Sequence, residues 1–231
     1  MRRTRNQSNA LKLFDYLDHN QFGLFLSAAQ KAQQNYINLH KLERNGENLL
    51  HAAIKNGRRR KFVNKLSELG FDFLEENESR NFINENGVIG DEVTSESALD
   101  IAVRTRQWSC CADFLILGVN QDLQRGTKNI SQNIIDTLGK NIGKVINKKN
   151  MYGVSAIDCM AMYPDLTKEH HGLYKLLSDN GARVSQDIID IAPNGFASLT
   201  QMSIQDNKEN KDWRLRYIAQ KETSLSANMS R

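Results

Sequence analysis

Proline and cysteine are both scarce in this chain of 231 residues, which holds only Pro164, Pro193, Cys110, Cys111 and Cys159. With two prolines, long stretches are free to be helical, since a helix interior excludes proline. Three cysteines without regular spacing supply neither a disulfide framework nor a zinc site, and imply reduced thiols in a cytosolic compartment. No apolar run approaches the roughly 18 residues that span a bilayer. The basic start Met1-Arg2-Arg3-Thr4-Arg5 leads into no apolar stretch of a secretory signal. Phosphate loop, dinucleotide fingerprint, zinc spacing and serine elbow are all missing, so no cofactor and no metal are expected. A net charge of +4 is too mild for a nucleic-acid signature, which needs a clustered basic face. A soluble, cytoplasmic, monomeric protein is the expectation.

What the chain does have is a recurring frame. Gly46-Glu47-Asn48-Leu49-Leu50-His51-Ala52-Ala53-Ile54-Lys55-Asn56-Gly57 precedes Phe62, Val63, Leu66 and Leu69-Gly70-Phe71-Asp72. Ser97-Ala98-Leu99-Asp100-Ile101-Ala102-Val103 and Phe114-Leu115-Ile116-Leu117-Gly118-Val119-Asn120 repeat it, as do Gly153-Val154-Ser155-Ala156-Ile157-Asp158-Cys159-Met160-Ala161 and then Leu173, Leu176, Leu177 and Gly181-Ala182. Asn48, Ser97 and Ser155 are N-cap residues, and Asp100 and Asp158 follow three residues later in capping-box register. Gly70, Gly118 and Gly181 stand where a helix is expected to end in a left-handed residue. Ala52, Ala53, Ala102 and Ala161 let antiparallel helices approach closely.

This frame resembles the ankyrin repeat, with its glycine, Thr-Pro-Leu-His helix start, short apolar helix, second helix and closing Gly-Ala-Asp. The resemblance implies an all-α ankyrin-repeat solenoid of stacked helix-turn-helix units. The intervals exceed the usual period of about 33 residues, which places long insertions between repeats. No repeat keeps the proline of the helix start and only the first keeps the histidine, His51, to which the family assigns a structural role between neighbouring loops.

In this frame residues 1–9 form a disordered tail and 10–185 the repeat domain. Residues 10–42 form an N-terminal capping repeat, with Leu11, Phe14 and Leu17 on one helical face and Phe22, Phe25, Leu26 and Ala29 on the next. Repeats follow at 43–72, 93–121 and 150–184, and 186–231 forms a C-terminal cap and polar tail. The insertion 73–94 is either a solvated excursion or a partner-specific loop. In the insertion 122–149, Ile130, Ile134, Ile135, Leu138, Ile142, Val145 and Ile146 describe an amphipathic helix between Ser131 and Lys148. That stripe packs on a neighbouring repeat or, with Lys140, Lys144, Lys148 and Lys149 beside it, meets a membrane surface or a calmodulin-like partner. Pro164 is expected to stop the first helix of the last repeat.

Two sets of residues offer other chemistry. Cys159 with His170 or His171 is a conceivable thiolate-imidazolium pair, but Cys159 occupies a small buried position of a repeat helix. Arg58-Arg59-Arg60-Lys61 is the densest basic cluster, either a nucleic-acid or nuclear-targeting patch or a solvated turn between helices.

The resemblance implies a non-enzymatic module that grips a protein on its concave surface. Its contact positions fall at the turn tips, Arg44, Asn45, Glu47, Thr94, Glu96, Tyr152 and Val154, and at the ends of the first helices, Lys55, Asn56, Arg104, Thr105, Met162 and Tyr163. Tyr152 and Tyr163 are the expected aromatic anchors, unless they cover the repeat core. A small, divergent, Asn- and Lys-rich ankyrin chain is also similar to host-directed effectors of intracellular bacteria, and Gln220-Lys221-Glu222-Thr223-Ser224 is similar to the polar tails of such substrates. That likeness implies a host protein as the partner and secretion without a signal peptide.

Overall fold

Capped helix starts set the architecture. The computed structural model describes residues 5–44, 46–57, 60–80 and 93–204. The chain runs through α1 (Arg5–Asp18), α2 (Phe22–Gln34), α3 (Leu49–Lys55), α4 (Arg60–Glu68), β1 (Glu76–Arg80), β2 (Val93–Ser97), α5 (Ala98–Arg104), α6 (Trp108–Arg125) and α7 (Asn129–Leu138). It continues through α8 (Ala156–Met162), α9 (His171–Asp179), α10 (Gln186–Ile191) and a final helical stretch at 193–204. The fold is predominantly helical, as expected.

Each of the three short first helices begins as its N-cap dictates. The Asn48 side chain accepts the Leu50 and His51 N–H groups. Ser97 with Asp100 and Ser155 with Asp158 close complete capping boxes. An N-cap of this kind stabilises a helix by about 1 kcal/mol, which matters for helices of seven residues that would not persist alone in water. Pro164 follows the end of α8, and Tyr163 before it is extended, the conformation that a following proline imposes.

The chain divides into two compact units, one of Met1–Phe114 with Asp136–Asn141, the other of Leu115–Ile135 with Ile142–Arg231. In the first unit α1 packs on α2 and α3, and α3 on α4 and α5. Its core is aromatic and aliphatic: Phe14, Phe25, Phe62 and Phe114 are fully buried among Leu13, Leu17, Leu49, Leu50, Ile54, Leu66, Leu99 and Ile101. Phe62 takes the edges of Phe22 and Phe25 at centroid distances of 4.9 and 5.1 Å. Each fully buried phenylalanine contributes roughly 2–3 kcal/mol of hydrophobic stabilisation. In the second unit Leu115, Val119, Leu123, Ile134, Ile157, Met160, Leu173 and Leu177 are buried, and α8 packs on α9 and α10.

The structure departs from the sequence-based expectation at five places. Helix α1 begins at Arg5, inside the stretch expected to be a disordered tail, and buries Leu13 where Leu11 was expected, Leu11 being half-buried. The insertion after Asp72 opens and closes with a two-stranded antiparallel hairpin that pairs Glu76 with Ser97 and Arg80 with Val93. Its strands carry no apolar alternation, so nothing in the text marked them. The amphipathic segment is not one helix: α7 ends at Leu138, Gly139 takes φ +48° and a 3-10 turn, Gly139–Lys144, follows. Its apolar stripe is turned inward, with Ile134, Ile135, Leu138, Val145 and Ile146 all buried. The C-terminal cap buries Ile188 and Leu199, while Ile191 and Ile204 stay exposed, and the polar tail lies outside the described residues.

The fifth departure is Gly118. Gly70 and Gly181 do adopt positive φ at helix ends, but Gly118 lies within α6 and the helix continues to Arg125. Its role is space. A Cβ there would stand 2.5 Å from Ile134 Cδ1 and 3.1 Å from Ile130 Cγ2 of α7. Gly118→Ala therefore costs about 1–3 kcal/mol, as overpacking does, lowering the thermal midpoint by several degrees. Gly143→Ala, with nothing near its Cβ, leaves it within about 0.5 kcal/mol, both read by thermal unfolding of the full chain.

Candidate functional site

The expected contact residues of the first unit are committed to one another. Arg44 and Glu47 exchange backbone hydrogen bonds across their turn, 3.0 and 3.1 Å. The Arg44 guanidinium meets Asp18 of α1 at 2.7 Å and lies over the Phe14 ring, and Asn56 donates to the same Asp18 carboxylate at 2.7 Å. The Arg44 guanidinium, ahead of burial, holds the Asp18 carboxyl below its ordinary range. Lys55 pairs with Glu47, and Arg104 pairs with Glu96 through two nitrogens at 2.9 and 2.8 Å. Thr105 Oγ1 turns back to the Ile101 carbonyl at 2.7 Å. Thr94 sits in β2 opposite Ser79, and Asn45 lies outside the described residues.

Both ion pairs occupy one register. Glu47 and Glu96 immediately precede an N-cap, and Lys55 and Arg104 are the last residues of the helices that follow. A seven-residue helix rises about 10 Å, a span that two long side chains close.

In the second unit the same register holds Val154 before the Ser155 cap and Met162 at the end of α8. Here apolar side chains replace the ion pair. The turn is held by Asn150, whose Oδ1 accepts the Tyr152 and Val154 N–H groups at 2.9 and 3.1 Å. That turn presents Tyr152, 74% exposed, and Met151, 58% exposed, while Met162 is 48% exposed. Tyr163 is half-buried and sets its ring edge-on to His170 with centroids 5.5 Å apart. Of the two expected anchors, Tyr152 is available to a partner and Tyr163 covers the unit's own interior.

Buried polar side chains link helix starts to following turns. His51, 1% exposed, reaches Asn48 Oδ1 with Nδ1 at 2.8 Å and the Glu96 carbonyl with Nε2 at 3.0 Å. Asp158, fully buried, accepts the Ser185 N–H and hydroxyl, each at 2.8 Å. Asp122, also fully buried, accepts Thr127 Oγ1 and the Ile130 and Ser131 N–H groups, tying the end of α6 to the start of α7. The resemblance to the repeat frame implied such a role for His51, and nothing in the sequence carried a signal for Asp122.

The conceivable catalytic pair is not set up for proton transfer. His170 is buried with both nitrogens on backbone groups: Nδ1 accepts the Thr167 N–H at 2.9 Å and Nε2 donates to the Leu123 carbonyl at 3.0 Å. Burial, with the Asp158 charge behind it, pushes the Cys159 thiol up to about 12. Burial likewise raises Cys110 to about 11 and Cys111 to about 12. Thiols at such values are almost wholly protonated at neutral pH and are poor nucleophiles. A cleft of 390 Å³ lined in part by Thr167, Lys168, His171 and Ser198 gathers no acid and no thiol, and the Ser198 hydroxyl is turned to the Asn194 carbonyl. Among the described residues no group of three His, Cys, Asp or Glu is arranged to hold a metal, and no helix is long and apolar enough to cross a membrane.

The basic run is similarly spent where it can be described. Arg60 forks onto the buried Asp113 carboxylate at 2.5 and 2.6 Å, and the Lys61 ammonium lies 5.0 Å above the Phe22 ring. Arg58 and Arg59 lie outside the described residues.

Two outcomes follow from this chemistry. A thiol-disulfide reagent at pH 7.5 reacts with the buried Cys110 and Cys111 of the native chain on the timescale of unfolding and not within seconds, after the half-buried Cys159, and denaturant abolishes the delay. For His51, burial is the foremost influence and holds the ring below its ordinary 6.5. A depressed folded pKa contributes stability that is present above pH 6.5 and is withdrawn as pH falls through the folded value. Urea unfolding from about pH 7 to pH 5 then shows a steeper loss in wild type than in His51→Gln, by up to about 1.4 kcal/mol per unit of depression.

No protein-family model matches the chain, and no curated protein matches it. Among solved structures it is similar to a chain from the complex of a predatory endopeptidase of Bdellovibrio bacteriovorus with an immunity protein. The match has 18% identity and a TM-score of 0.33, and covers 82% of this chain and 96% of that chain, a likeness too slight to bear on fold or function.

Proposed function

We propose that the chain is a protein-binding repeat module of ankyrin type, and that it grips its partner through the turn and helix end of the second unit. The observation that carries this is the exposure of large apolar side chains in the turn before α8 and at its end. Seven large hydrophobic side chains are well exposed among the described residues, and three of them are Met151, Tyr152 and Met162. Met162 stands at the helix end that Lys55 and Arg104 hold in the pairs Glu47–Lys55 and Glu96–Arg104, and Met151 and Tyr152 lie in the turn just before Val154, which takes the place of the two glutamates. Exposed large apolar groups concentrated on one surface mark interaction sites, and tyrosine and methionine are enriched in interface cores.

The capped seven-residue helices, the His51 tie to the next turn and the Asp158 tie to Ser185 support the ankyrin reading. The polar positions Arg44, Glu47, Lys55, Asn56, Glu96 and Arg104 act in it as a rim that shapes the approach of a partner. Against an enzymatic reading, His170 is bonded to Thr167 and Leu123 and burial raises the Cys159 thiol. The effector reading makes a eukaryotic host protein the occupant.

The test is affinity capture from eukaryotic lysate with the full chain and two variants, each first shown by circular dichroism to be folded. Loss of a central tyrosine anchor costs about 2 kcal/mol or more, roughly a thirty-fold drop in affinity. A protein retained by wild type is therefore lost by Tyr152→Ala with Met162→Ala, and kept with a modest loss by Lys55→Ala with Arg104→Ala. Retention that ignores Tyr152 and Met162 overturns the assigned face, and retention of no protein overturns the function.

A further inference from the structure

The third helical position of these short helices carries a polar side chain, buried at His51 and Asp158 and half-buried at Asp100, and its chemistry is inverted in one of them. Asp158 receives only donors: the Ser155 N–H at 2.9 Å and the Ser185 N–H and hydroxyl at 2.8 Å. Asp100 likewise receives the Ser97 N–H and hydroxyl. His51 stands between two acceptors. Its Nδ1 is 2.8 Å from Asn48 Oδ1 and its Nε2 is 3.0 Å from the Glu96 carbonyl oxygen.

The Asn48 amide orientation is fixed by its neighbours. Oδ1 takes the Leu50 N–H at 2.9 Å and the His51 N–H at 3.0 Å, and a flipped amide would set its NH₂ against both donors. A neutral imidazole carries one N–H. It can donate to Asn48 or to Glu96, and whichever it leaves faces a nitrogen lone pair at hydrogen-bond distance. His170 shows the contrasting arrangement, a donor at Nδ1 and an acceptor at Nε2, which a neutral ring with its proton on Nε2 satisfies completely.

We propose that His51 is a proton-operated clasp: uptake of one proton lets the ring donate to Asn48 and Glu96 together and so joins the α3 start to the turn that precedes α5. The proton adds to the bare ring nitrogen and no other bond changes. The charged groups around the ring leave it room to act. Glu47 and Lys55, at the two ends of its own turn of structure, pair with each other, and Glu96 is held by Arg104 of α5. Glu75, ahead of β1, favours the cation. On α1, Asp18 goes to Arg44 and Asn56, and on α4, Arg60 goes to Asp113. Burial opposes the charge, and the second hydrogen bond opposes burial.

The clasp is tested by heteronuclear NMR of the imidazole nitrogens in the full chain, with the His51 signals assigned by their loss in His51→Gln. Asn48→Ser keeps a good N-cap but offers a hydroxyl that can donate to Nδ1, so the neutral ring is satisfied as in His170. Asn48→Asp keeps the cap and offers a charged acceptor. The expected order of titration midpoints is Asn48→Asp above wild type above Asn48→Ser. The last step is on the order of one pH unit, a tenfold change in proton affinity, and the neutral ring of Asn48→Ser holds its proton on Nε2 alone. Equal midpoints, or the reverse order, overturn the proposal. Either variant alone suffices to decide it should the other fail to fold.

Discussion

A buried polar side chain at the third position of a first helix holds two pieces of structure at once. His51 and Asp158 each complete their own helix start and reach onward to the next turn, to the Glu96 carbonyl and to Ser185 respectively. Both are buried to within 1% of full enclosure, so a lost partner would leave a desolvated polar atom at a cost of about 1–3 kcal/mol. The seven-residue helices they belong to are too short to stand by themselves. Helix start, turn and neighbouring helix therefore form together, and the hydrophobic layer of Leu49, Leu50, Ile54, Leu99 and Ile101 closes around the His51 joint.

This arrangement sorts the surface as well. Where a turn residue and a helix-end residue bear opposite charge, the short helix brings them together, as in Glu47–Lys55 and Glu96–Arg104. Exposed pairs of this kind contribute at most about 1 kcal/mol each, so their effect is to hold side chains in place more than to stabilise the fold. Where the register holds Val154 and Met162, no such pairing is possible and the apolar groups stay at the surface. One frame thus yields two polar edges and one apolar edge.

The features legible in the text are those written in local chemistry. Asn48, Ser97 and Ser155 with Asp100 and Asp158 announce helix starts because a cap needs only residues three apart, and Pro164 ends α8 for an equally local reason. His51 was legible through its place in the repeat frame. The hairpin was not, because Glu76–Arg80 and Val93–Ser97 are polar on both faces and owe their pairing to backbone groups. Gly118 was misread because a helix-ending glycine and a close-packing glycine look the same until α7 is seen against it. The expected contact set was half dissolved for a further reason. Arg44 and Asn56 find Asp18, a residue 26 and 38 positions away, and no spacing rule reports that. Of the aromatic anchors, exposure separates Tyr152 from Tyr163, and exposure is a property of the folded chain.

The β1–β2 hairpin ends at the facing pair Arg80 and Val93. Those ends face each other across the ladder, so the connection between the strands closes on a fixed pair. Closing a loop costs only about 0.6 kcal/mol more for each doubling of its length. A longer connection between Arg80 and Val93 therefore leaves the paired strand ends, the Ser97 cap of α5 and the Glu96 carbonyl that His51 meets where the ladder puts them.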